Sequence, residues 1–192
     1  MPSDLIPVVP PGRMRENEQP ELRSGDLVLR PWSLEDAEVV LKAFADPAIR
    51  QWHRRSMAVY EEAESWIAQW SRGWQAETDA GWVVQARSGE VLGRISLRDV
   101  HLPEGLAQVT YWILPEARGR GVAPGAVVAL TRWAFDDLRL HRLEICHSTA
   151  NPASCRVALK SGYPVEGTLR SALLHLDGWH DMHLHARVND NT

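Results

Sequence analysis

"GWVVQARSGEVLGRISLRDVHLPEGLAQVTYWIL", residues 81–114, contains three runs rich in Val, Ile, Leu, Trp and Tyr, separated by the turn-forming stretches "RSGE" and "HLPEG". A parallel neighbour needs a crossover of about a dozen residues or more, and these gaps leave no room for one. The three runs are therefore consecutive antiparallel strands, and they fix half of a sheet.

Upstream of them the pattern is mixed. "GDLVLRPW" alternates and closes on Pro31, which predicts a first strand. Ser33 with Asp36 three residues on resembles a capping box, followed by Ala37, Val40, Leu41 and Phe44 at helical spacing, and Asp46-Pro47 ends that helix. From Val59 to about Trp74, Ala63, Trp66, Ile67, Trp70 and Trp74 share one face of a second helix, as core or as the wall of a cleft. Residues 1–22 contain five of the chain's prolines before residue 21 and read as an extended or mobile arm.

Downstream, Val127, Leu130, Ala134 and Leu138 mark a helix, and "LHRLEICHS" a strand. "NPASCRVALKSG" begins with a capping Asn and a Pro at the first helical position, and ends with Lys160 and Gly162. Two strand-like segments around Asp177-Gly178 form a closing hairpin.

The stretch "ARGRGVAPGAV", residues 117–127, sits between the third hairpin strand and the long helix. A helix start leaves about four N–H groups without helical partners, and their dipoles favour an anion. Glycine allows close approach and arginine supplies fixed charge, so the stretch is suited to a phosphate. A Walker-type loop is excluded, because no glycine is followed after four residues by Gly-Lys-Ser/Thr. A dinucleotide fingerprint fits poorly: the glycines are Gly119, Gly121 and Gly125, Pro124 stands at the third position, and the preceding strands are hairpin-linked.

The motif Arg118-Gly119-Arg120-Gly121-Val122-Ala123, in this element order, resembles the pyrophosphate loop of the GNAT acyltransferases. "YWILPEARGRGVA", "NPASCRVALKSGYPVEGTLR" and "HDMHLHARV" are similar to the branch containing the ribosomal-protein N-terminal acetyltransferases, RimJ/RimL-like proteins. The resemblance implies an α+β fold: a mixed, mostly antiparallel twisted sheet of about seven strands with about four helices on its faces. It implies one acyl-CoA-dependent domain over residues 23–190 and acetyl-CoA as cosubstrate. By the same resemblance the fourth strand splays from the fifth near Trp112–Leu114, backbone groups of Ile113 and Leu114 pair with the pantetheine arm, and Asn151 and Ser154 lie along the cofactor. Helix capping by Asn151 and a solvated Ser154 are the bland alternatives.

Acyl transfer to an amine needs a base for the amine, donors for the oxyanion and a proton for the leaving thiolate. A backbone N–H near Trp112 or Ile113 could serve the oxyanion, and Ser154 is the general acid candidate. Neither Cys146 nor Cys155 needs to be a nucleophile, and both read as small core residues. Many members of the branch carry Glu at the position of Gln108, and an amide cannot take a proton at neutral pH. The remaining base candidates are His101, Glu104 and His175, a water-mediated base, or an amine that is already neutral.

A formal net charge of -4 argues against general nucleic-acid affinity and is at best mild support for a cationic acceptor. No apolar run approaches the roughly 18 residues of a membrane span, and the absence of a secretory pattern with two cysteines fits a cytoplasmic protein. No metal is expected: His183 and His185 share one face of a strand while His180 lies on the other. The expected partner is a primary amine, on a protein N-terminus or a small molecule such as an antibiotic or metabolite, and a homodimer is compatible with the sequence. A non-catalytic acyl-CoA-binding module is the alternative from another class.

Overall fold

The three hairpin strands form the centre of the sheet as β3 (Ala80–Ala86), β4 (Val91–His101) and β5 (Leu106–Ile113). The computed structural model describes residues 6–190, so residues 1–5 of the expected arm lie outside the described residues. Its remaining strands are β1 (Leu22–Ser24), β2 (Leu27–Pro31), β6 (Arg142–Ser148), β7 (Val165–His175) and β8 (Gly178–Val188). Eight strands lie in the order β1-β2-β3-β4-β5-β6-β8-β7. Every neighbouring pair is antiparallel except β5 and β6.

The helices are α1 (Ala37–Ala45), α2 (Pro47–His53), α3 (Tyr60–Ala76), α4 (Val122–Asp136) and α5 (Pro152–Lys160). The mixed, mostly antiparallel sheet matches the expected class, with one strand and one helix more. The extra helix arises at Asp46-Pro47, which ends α1 but also begins α2: the Asp46 carboxylate accepts the Ile49 N–H at 2.9 Å, and Pro47 fills the first turn, where a missing N–H costs nothing. Ser33 and Asp36 form the reciprocal capping box read from the sequence.

Two clusters of buried residues flank the sheet. The larger runs under α4 and includes Trp82, Ile95, Leu97, Leu130, Leu143 and Tyr163. The smaller joins α1, α2 and α3 to Trp112 and Leu114 through Phe44, Ile49, Trp66 and Trp70. Trp74 belongs to the larger cluster and stacks on Trp133 at 6.1 Å.

From Val8 onward the arm is docked on the domain. Val9 and Met14 are fully buried, and Val8 and Val9 donate to Pro103 O and Leu102 O. The Glu77 carboxylate accepts N–H groups of Gly12 and Met14, both at 2.8 Å. Burial alone raises the Glu77 pKa, but these donors and that of Arg15 together outweigh it and leave the carboxyl below the usual range.

Candidate functional site

The parallel pair β5–β6 holds for only three residue pairs, Leu106↔Arg142, Ala107↔Leu143 and Gln108↔Glu144, and then opens. β5 stays bonded to β4 along its length, so the opening leaves the other edge of Tyr111–Ile113 facing a cleft. The Leu114 N–H donates to Leu92 O on β4, which by alternation turns the Trp112 groups the same way and those of Tyr111 and Ile113 toward the opening. Two side-chain bonds agree with this: Arg118 Nε reaches Ile113 O at 3.2 Å, and His53 Nε2 lies 3.0 Å from Tyr111 O.

This corrects one expectation. Leu114 cannot pair with an added chain, because its N–H is used by Leu92 and its carbonyl accepts the Ala117 N–H. Ile113 remains, with its N–H rather than that of Trp112 directed at the cleft.

The cleft, about 490 Å³, runs from Ile113 past Arg118, Gly119, Gly121, Val122 and Ala123 to Asn151 and Ser154. Gly119 and Gly121 have φ of +76° and +78°, where a side chain is strained, and the space a Cβ would fill is open at both. Gly121 is the N-cap of α4, with no side-chain cap; the Gly125 N–H is the donor that closes on Gly121 O. The amides ahead of it therefore begin a helix whose positive end opens on the cleft. Arg118 is held by Asp46 at 2.7 Å as well as by Ile113, so it ties the loop to α2. Arg120 is half exposed, 4.0 Å from Glu90.

Asn151 caps α5, its Oδ1 accepting the Ser154 N–H at 3.1 Å. The Ser154 hydroxyl is not merely solvated: it lies 2.8 Å from the Tyr111 hydroxyl. Burial pushes the Tyr111 phenol up to about 12, so it stays protonated at neutral pH.

A second cavity of about 800 Å³ meets the cleft where Trp52, His53, Tyr111, Asn151 and Ser154 line both. Arg54, Arg55, Arg94 and Arg98 line it against one carboxylate, Asp99. Arg94 is buried, bonded through Nη2 to Ser96 and Thr110, 4.5 Å from the Trp70 ring, with Nε unpartnered among the described residues. Burial, then Arg98 and Arg55, push its pKa down to about 9, still charged at neutral pH. Burial and Arg94 push His53 down to about 3, which makes it a neutral donor to Tyr111 O. The net acidity of the chain is thus no guide to this cavity, whose wall is cationic.

His175 is buried on the same wall. Its Nδ1 faces Gln51 O at 3.1 Å and, a carbonyl being only an acceptor, must carry the proton. In the neutral ring Nε2 is then the lone-pair nitrogen, and it is buried without a partner among the described residues. Nearby, the Ser148 hydroxyl lies 2.6 Å from His180 Nδ1, and His180 Nε2 lies 3.0 Å from Asp177.

A match to the family profile described as the acetyltransferase (GNAT) domain spans residues 26–164. The chain belongs to the GNAT acetyltransferase family. Among curated relatives, YdaF of Bacillus subtilis is 34% identical over 92 residues, 48% of this chain and 50% of YdaF. The ribosomal-protein-serine acetyltransferase of Escherichia coli is 30% identical over 105 residues, 55% of this chain and 59% of that protein. The matched segments thus span only half to three-fifths of these two relatives. A solved structure of RimL, a ribosomal L7/L12 alpha-N-protein acetyltransferase, in complex with coenzyme A superposes with a TM-score of 0.81 at 19% identity, over 90% of this chain and 100% of that one, a likeness of fold.

In this GNAT chain, Ile113, Arg118, Gly119, Gly121, Val122, Ala123, Asn151 and Ser154 come together along the cleft, whereas His101 and Glu104 do not line it. Those two pair with each other at 3.5 Å beside Leu106, at the closed end of the β5–β6 pair. Gln108 does line the second cavity, where an amide offers no base. Tyr111, His53 and Arg94 were missed from the sequence. Tyr111 stands two residues from Ile113 and so shares its side of the strand, and an arginine inside the apolar run "VLGRISL" is itself a signal. His180 separates from the other histidines of "HDMHLH", as expected; His183 and His185 instead meet His147 and Cys155, with ligand-type atoms all within 4.8 Å of one another. Cys146 and Cys155 are free thiols, and both are partly exposed rather than core.

Proposed function

We propose that this chain transfers an acetyl group from acetyl-CoA to a primary amine in a ternary complex, as one domain over residues 23–190 with the preceding arm docked on it from Val8 onward. The observation that carries the reading is the opening of β5 from β6 onto the uncapped start of α4. The α4 amides, with Gly119, Arg120, Gly121, Val122 and Ala123, take the pyrophosphate. The pantetheine runs along the free edge of Tyr111–Ile113 toward Asn151.

The thioester then lies where the two cavities meet. The amine lone pair attacks the acetyl carbonyl, a cleft-facing backbone N–H on the Tyr111–Ile113 edge that the pantetheine leaves free stabilises the oxyanion, and collapse expels the CoA thiolate. Tyr111 and Ser154, hydrogen-bonded to each other, supply the proton to sulfur. His175 Nε2, buried in the free protein, takes the amine proton through water rather than by direct contact.

The acceptor enters through the second cavity. A buried guanidinium without a carboxylate partner favours a substrate that brings one. The acceptor is therefore an amine with an acidic group nearby, such as an acidic protein N-terminus; the name of the Escherichia coli relative supports a protein acceptor but not its acidity, and a small amino acid amine is the second reading. Acetyl-CoA turnover, followed as free thiol over a panel of acidic, neutral and basic N-terminal peptides and small amines, tests this. Acceptor-dependent thiol release with the acidic peptides is the expected result. CoA binding without release on any acceptor would make the chain a binding module instead.

A further inference from the structure

His147 on β6, His183 and His185 on β8, and Cys155 on α5 form a cluster that the proposed acetyl transfer does not use. His147 and His183 are directly opposed in the β6–β8 ladder, and His185 is two residues along on the same face. His147 Nδ1 faces Ser148 O at 2.8 Å, and His185 Nδ1 faces Tyr163 O at 2.9 Å. Carbonyl oxygens only accept, so both Nδ1 atoms carry their rings' protons. In the neutral rings both Nε2 atoms then present lone pairs, and these lie 3.0 Å apart, each facing the other. Two lone pairs in that position repel unless a cation lies between or beside them.

The rest of the cluster points to what that cation is. His183 Nδ1 is buried without a partner among the described residues. Cys155 brings a thiol to the same place. Imidazole N–H groups anchored on backbone carbonyls, with the second nitrogens converging, are the usual outer support of metal-binding histidines. Bond lengths of about 2.0–2.1 Å to nitrogen and 2.3 Å to sulfur give tetrahedral edges of roughly 3.3–3.6 Å, within the span of these atoms. We propose that His147, His183, His185 and Cys155 bind one borderline-soft divalent cation, zinc by preference, that staples β6, β8 and α5 together. Cys155 directly follows Ser154, so the staple holds the helix that carries the acid candidate.

The test uses the full chain after dialysis against a chelator, with Co2+ as the spectroscopic probe and Zn2+ as competitor. One equivalent of Co2+ should bind, giving the visible bands of a four-coordinate ion and a near-ultraviolet thiolate charge-transfer band, and Zn2+ should displace it and raise the melting temperature. Cys155→Ser should abolish the charge-transfer band and weaken binding at least about tenfold, and His185→Gln should weaken it likewise. Cys146→Ser, one residue away on the other side of β6, should leave spectrum and affinity unchanged. Far-ultraviolet circular dichroism checks that each variant folds; should His185→Gln fail, the partly exposed Cys155 still decides. Absence of one-equivalent binding, or a spectrum and affinity indifferent to Cys155→Ser, would overturn the proposal in favour of two histidines bridged by an extra proton.

Discussion

The Tyr111 hydroxyl and the Ser154 hydroxyl stand 2.8 Å apart at the point where the cleft meets the arginine-lined cavity. Two hydroxyls in one hydrogen bond act as a unit, so their removal is not additive. On the proposed mechanism Tyr111→Phe and Ser154→Ala each lower kcat by about 10²-fold with little change in CoA affinity, and the double variant loses far less than the product. Since the Tyr111 phenol is pushed up to about 12, the wild-type rate shows no alkaline loss from it up to about pH 10, two units below. Steady-state kinetics over pH for the wild type and the three variants checks both statements.

Gly121 is a second point of test. A β-branched residue at φ +78° is strained by about 1–2 kcal/mol, yet the open space at its Cβ removes any packing clash. Gly121→Val should therefore fold with a lower melting temperature and lose CoA affinity at least tenfold by calorimetry. Unchanged affinity would show that the α4 start is not the pyrophosphate site.

His175→Gln should lower kcat by about 10²-fold, while His101→Ala and Glu104→Gln leave it within about twofold, because only the first lies on the acceptor cavity. Equal losses in all three would remove His175 from the base role.

Arg94→Met should raise KM at least tenfold for acidic acceptors and leave basic ones unaffected. Stability should hold, because a buried unpaired charge is removed while Ser96 and Thr110 keep their mutual bond at 2.9 Å. An unchanged acceptor preference across the peptide panel would refute the acidic acceptor.

His53 makes the fold acid-sensitive. Its folded pKa, about 3, lies below the unfolded value near 6.5, so the unfolded chain binds the proton first as pH falls. The stability it contributes is complete above about pH 6.5 and is lost progressively toward pH 3, at most about 2–3 kcal/mol near pH 4.5. Melting curves from pH 7 to 4 should fall less steeply in His53→Gln; parallel curves would show that His53 is solvated.

The antiparallel half of the sheet, the glycine loop and the Asn151-Pro152 helix start were legible because each is set by local chemistry: turn length, positive φ and capping. What sequence could not supply was convergence across distant segments. Arg94 and Trp70 are 24 positions apart, and Cys155 meets His185 only because β8 inserts between β6 and β7. Asp46-Pro47 shows a different limit, since the same pair is both a stop and a start, and only the helical run from Ala48 to His53 distinguishes its two meanings.

Glu77 grips the arm by its amides, and an amide is the same whatever side chain accompanies it. Along this arm the pressure on sequence therefore falls on Val9 and Met14, which fill the core, and on Gly12, whose φ is +95°. Between these anchors Arg13 adds a side-chain bond to Asp137 O at 3.0 Å, whereas the exposed Pro10 and Pro11 are free to drift without loosening the attachment.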